Sequence, residues 1–112
     1  MARYECFSRT HQTDQELLPL VKEALESKGF KVRSAMGDSL SMIDTQPVKR
    51  LRDRVVVILD QNRTTSGSQE LQCVMSNESI ASGSTCRCKD AFNFLLGHLH
   101  AVPDVQVETA AA

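Results

Sequence analysis

Residues 53–60, "DRVVVILD", decide how the rest of the chain is read. Five consecutive apolar residues, three of them β-branched valines and one isoleucine, stand between charged groups, which is the signature of a short buried strand. A helix buried to this degree would need more length. In a strand, successive side chains alternate between faces, so Val55, Val57 and Leu59 point one way while Val56 and Ile58 point the other. An apolar residue on each face asks for cover on each face, which places this strand in the middle of a sheet.

Working outward toward the N-terminus, "FKVRSAMGDSLSMID" predicts a hairpin with Gly37-Asp38 as a two-residue turn, because Gly supplies the positive φ of a type II′ turn. Counting from that turn pairs Met36 with Ser39, Ala35 with Leu40, Ser34 with Ser41, Arg33 with Met42, Val32 with Ile43, and Lys31 with Asp44. Mixed polarity on both sides of this hairpin places it near a sheet edge or projecting from it, with a single bent strand as the competing reading. Before it, "TDQELLPLVKEALESKG" carries Leu17, Leu18, Val21, Ala24 and Leu25 at the spacing of one helical stripe. Thr13 and Glu16 have the spacing of a capping box, and Gly29 suits the left-handed residue that ends a helix. Pro19 cannot donate an intrahelical hydrogen bond, so the regular helix begins close to it or is kinked in its first turn. The N-terminal "ARYECFS" alternates Tyr4 and Cys6 against Glu5 and Phe7 and is expected to be a first strand.

Toward the C-terminus, "ELQCVMS" sets Leu71, Cys73 and Met75 against Gln72, Val74 and Ser76 and predicts another strand. The loop "NESIASGST" leads into a helix over residues 86–99, with Phe92, Leu95 and Leu99 as its stripe. "AVPDVQVETAAA" is expected to fray. The resulting β-α-β-β-β-β-α order predicts an α+β fold: two layers, with two helices packed on a mainly antiparallel sheet of four or five strands. Residues 1–100 are read as a single domain and 101–112 as a flexible C-terminal tail. A chain of 112 residues is long enough for folding to bury roughly two-thirds of its unfolded surface.

Composition narrows the classes of function. With 13 basic and 14 acidic residues the net charge is −1, so no global field draws the chain to nucleic acid or to an anionic membrane. The N-terminal stretch lacks the apolar core of a secretory signal, and the expected location is the cytoplasm with reduced thiols at Cys6, Cys73, Cys86 and Cys88. "VKRLRDR" concentrates Lys49, Arg50, Arg52 and Arg54, a candidate contact for an acidic partner. One tyrosine, four phenylalanines and no tryptophan leave too few aromatics for a platform that stacks single-stranded RNA, and nucleic acid is not expected as a partner.

Three chemistries are weighed against this background. Ser82, Gly83, Ser84 and Thr85 before a helix start offer backbone N–H groups to a small anion, but "ASGSTC" has neither the first glycine nor the lysine of a nucleotide loop. Ser84 or Thr85 can equally serve only as a helix cap. Cys86 and Cys88 can act as a redox or metal pair from an extended segment, whereas inside a helix residues two apart diverge by about 200°. Asp38, Asp44, Asp60 and Glu70 supply carboxylates for acid–base chemistry, yet all fall at expected turns or strand ends, where charge is common. No cofactor and no catalytic residue is assigned.

The functional expectation therefore comes from packing. Two short helices can cover one face of the sheet, leaving Val56 and Ile58 to be covered by something else, such as a second copy or another protein. The expected function is a non-enzymatic interaction or regulatory module that works as a homo-oligomer, a homodimer in the simplest case, or docks a protein through its sheet. The alternative is a domain sensing a small anionic ligand or a metal through the 82–88 loop and the following helix N-terminus.

Overall fold

A computed structural model of the chain describes residues 2–11, 16–48, 50–63, 67–78 and 87–111. Among these residues six strands and two α-helices follow in the order β1 (Ala2–Thr10), α1 (Leu17–Ser27), β2 (Phe30–Met36), β3 (Ser39–Asp44), β4 (Val56–Arg63), β5 (Gln69–Asn77), α2 (Arg87–His100) and β6 (Val105–Ala111), with a short 3-10 turn at Leu51–Asp53. The strands form one antiparallel sheet ordered β2-β3-β4-β5-β1-β6. This is the expected α+β class with one strand more than expected. The strand built on "VVVIL" is interior, paired with β3 on one side and β5 on the other.

Both helices lie on the same face. Leu17, Val21, Ala24 and Leu25 of α1 and Cys88, Ala91, Phe92, Leu95 and Leu99 of α2 are buried. They join one core with Cys6, Leu40, Met42, Val55, Val57, Leu59, Leu71, Cys73 and Met75 from the sheet. The ring of Tyr4 stacks on Phe92 at 5.3 Å between centroids, fixing α2 over β1.

α1 starts two residues before Pro19, so the proline occupies the first turn, where its missing N–H costs nothing. Glu16 precedes the helix without a side-chain cap, and Thr13 lies outside the described residues. A residue distant in sequence satisfies one N–H at the helix start. The buried Gln69 of β5 accepts a hydrogen bond from the Leu17 N–H at 3.3 Å and another from the Gln61 amide at 3.0 Å. At the other end, the Lys28 and Gly29 N–H groups close on Leu25 and Glu26, and Gly29 adopts φ 96°, the conformation expected for it.

The hairpin forms at Gly37-Asp38, with Gly37 at φ 58°. Its inner pairs, Met36–Ser39, Ala35–Leu40 and Ser34–Ser41, are those counted from the turn. Beyond them a bulge at Arg33 shifts the register, so Val32 pairs with Met42, Lys31 with Ile43 and Phe30 with Asp44. The pairs Arg33–Met42, Val32–Ile43 and Lys31–Asp44 do not form. The reason is packing: in a regular strand Phe30 and Val32 share the face of Ser34 and Met36, and one extra residue turns them to the helix-covered face. Phe30 is buried there and Val32 packs against the core.

Residues 101–112, expected to fray, carry β6, which pairs with β1 without interruption from Thr10–Val105 to Tyr4–Ala111. The turn into it depends on Asp104 at φ 61°, a conformation that Asp tolerates better than most residues. Val105 and Val107 then pack against the core and supply the burial that orders this segment.

Gln69→Ala leaves the Leu17 N–H and the Gln61 amide without their shared acceptor and should lower unfolding free energy by about 1–2 kcal/mol in urea titration. Glu16→Ala removes an exposed ion pair with Arg63 at 3.3 Å and should change stability by less than about 0.5 kcal/mol.

Candidate functional site: the open sheet face

With both helices on one side, the side chains between the buried positions form the opposite face. Register makes the apolar ones contiguous: Ile43 lies opposite Val56, and Ile58 lies opposite Val74. Phe7 stands on β1 opposite Gln72. Ile58 and Phe7 are each 44% exposed, and Ile43, Val56 and Val74 are half-buried. Polar and charged groups surround them. Arg3 pairs with Glu5 and Arg9 with Glu70, each at 2.6 Å, while Ser39 hydrogen-bonds the Asp60 carboxylate. Next to Phe7, a hollow of about 260 Å³ is lined by Arg9, Glu70, Gln106 and Glu108. The face thus has an apolar centre within a polar rim.

Of the partner-binding residues read from the sequence, Val56 and Ile58 lie on this face as the alternation required. The basic group does not join them. Arg50 and Arg52 are exposed on the connector between β3 and β4, at the end of the sheet, and Arg54 donates to the Asp44 carbonyl at 2.5 Å. Lys49 lies outside the described residues. Phe7, Ile43 and Val74 belong to the surface as well. The alternation around Phe7 and Val74 was visible in the sequence, but their grouping depends on β1 and β5 being neighbours, which no local pattern announces.

Asp44 has a role other than acid–base chemistry. Its buried carboxylate accepts hydrogen bonds from the Arg87 guanidinium and, at 2.9 Å, from the Gln46 N–H. It ties the end of β3 to the first residue of α2. Asp60 and Glu70 are held by Ser39 and Arg9, so the carboxylates are distributed among separate contacts.

Ser82, Gly83, Ser84, Thr85 and Cys86 lie outside the described residues. Cys88 is described and fully buried in α2. Cys6 and Cys73 face each other across β1 and β5, each 1% exposed. The Cys73 thiol holds its proton well above the ordinary thiol range, chiefly through its hydrogen bond with Cys6. Burial and the nearness of Cys6 and Cys88 push the same way. Among the described residues, no three His, Cys, Asp or Glu side chains are grouped to hold a metal ion, and no helix is long and apolar enough to cross a membrane.

No protein-family model matches the chain, and none of the curated proteins compared with it is significantly similar.

Iodoacetamide at neutral pH should label Cys6, Cys73 and Cys88 at least about 100-fold more slowly in the folded protein than in denaturant, since burial shields all three from the reagent and the raised pKa of Cys73 suppresses its thiolate further. Peptide mapping by mass spectrometry reads the rate at each site.

Proposed function

We propose that this chain is a non-enzymatic interaction or regulatory module of the cytoplasm, and that a second copy covers its open sheet face. The observation that carries the reading is the group Ile43, Val56, Ile58 and Val74, extended by Phe7, on the face that neither helix covers. Two such faces stack as sheet on sheet, the packing that encloses an apolar layer between strands. Their rims favour a second copy over a strongly charged partner: Arg3, Arg9, Glu5, Glu70 and Asp60 place both signs within one face, so a twofold arrangement can set opposite charges against each other.

Magnitudes set the strength of the contact. Covering what remains exposed of Ile58 and Phe7 contributes about 1 kcal/mol each, or about 4 kcal/mol over two copies. Association costs at least about 4 kcal/mol in lost translational and rotational freedom. The net affinity therefore comes from Ile43, Val56, Val74 and the rim. With the first two terms offsetting each other the contact is a weak one, and assembly responds to concentration.

Sedimentation equilibrium over a wide concentration range should show reversible self-association, weakened at least about tenfold by Ile58→Lys. The substitution leaves the fold intact because the core side chains of β4 point to the other face, and circular dichroism checks this independently. A wild-type chain that stays monomeric at millimolar concentration, or an Ile58→Lys variant that associates as the wild type does, overturns the proposal.

A further inference from the structure

The two edges of the sheet are built differently. β2 carries the bulge at Arg33 and exposes Lys31 and Arg33, and a bulge with basic side chains is a common guard against strand addition. β6 has neither device. It runs seven residues, "VQVETAA", in unbroken register with β1, without lysine, arginine or proline, and among the described residues no strand pairs with its outer side. An unguarded edge of this length is a template for another strand.

We propose that β6 joins β6 of a second copy, edge to edge and antiparallel, so that one sheet continues through both chains. The strand's own sequence selects both the occupant and the register. Directly opposite residues in an antiparallel pair share a face, so a twofold axis must pass through a residue position. Centred on Val107, the axis pairs Val107 with Val107 and Val105 with Thr109 on the helix-covered face, and Gln106 with Glu108 on the open face. These are β-branched pairs and an amide facing a carboxylate, formed twice. Centred on Glu108, it sets two carboxylates against each other, which is destabilising. Centred on Gln106 it sets Asp104 against Glu108, and centred on Thr109 it gives up both the valine pair and the amide–carboxylate pairs, so the Val107 register is selected. Within one chain Gln106 lies opposite Arg9 and Glu108 opposite Phe7, so both polar side chains sit beside the open face and reach the edge without disturbing the core.

This contact goes beyond the stacking of open faces and is tested where that stacking is absent, in the Ile58→Lys background. There the chain should still form a dimer through the edge, while associating more weakly overall than the wild type, which has both contacts. Adding Gln106→Glu puts carboxylates opposite each other across the edge while gaining Arg9 as a neighbour within the chain, so dimerisation should weaken about tenfold with no loss of folding. Adding Glu108→Gln to that variant exchanges the two side chains, recreates the amide–carboxylate pairs and should restore the affinity. Amide exchange at Val107 and Thr109 should slow as the dimer forms. A monomeric Ile58→Lys chain, an ineffective Gln106→Glu, or an exchange of side chains that fails to rescue overturns the edge contact. If Ile58→Lys associates as the wild type does while the exchange still rescues, the edge contact stands and the face contact falls.

Discussion

The structure depends on one constraint: β4 is interior to the sheet, and a strand alternates its side chains whether or not both faces have cover. Val55, Val57 and Leu59 are buried beneath the helices, and the same backbone places Val56 and Ile58 on the side the helices do not reach. The chain cannot have one set without the other. Each remaining element is placed with respect to that division. α1 and α2 close one face, the bulge in β2 rescues Phe30 and Val32 for it, and β6 brings Val105 and Val107 to its margin.

Much of this was legible in the residues because it is local. The turn at Gly37-Asp38, the cap at Gly29, the stripe of Phe92, Leu95 and Leu99, and the alternation through Leu71, Cys73 and Met75 each rest on a few neighbouring positions. What escaped is non-local. The Gln69 side chain satisfies a helix N–H fifty-two residues away in sequence, so no capping pattern records it. The Arg33 bulge answers the burial of Phe30 and Val32 against helices that the hairpin sequence does not mention. β6 offers only two valines in an alanine-rich segment of low strand propensity, and its order comes from pairing with β1.

The candidate surface divides the same way. Val56 and Ile58 followed from alternation alone, whereas Phe7 and Val74 joined them only once the strand order was known. Asp44 shows the opposite outcome. Read as one of several carboxylates or as the partner of Lys31, it is instead buried beneath the Arg87 guanidinium, where it joins a strand end to a helix start. The cysteines also belong to architecture: Cys6, Cys73 and Cys88 are small core residues in contact with sheet and helix.

The bulge at Arg33 has a consequence for growth. A sheet with two receptive borders can add chain after chain without end, as fibrils do, because every addition presents a fresh border. Here the extra residue twists one border away and arms it with cations, so a molecule recruited at the opposite border contributes a blocked end of its own. Under the proposed edge pairing, lateral addition therefore terminates after a single step.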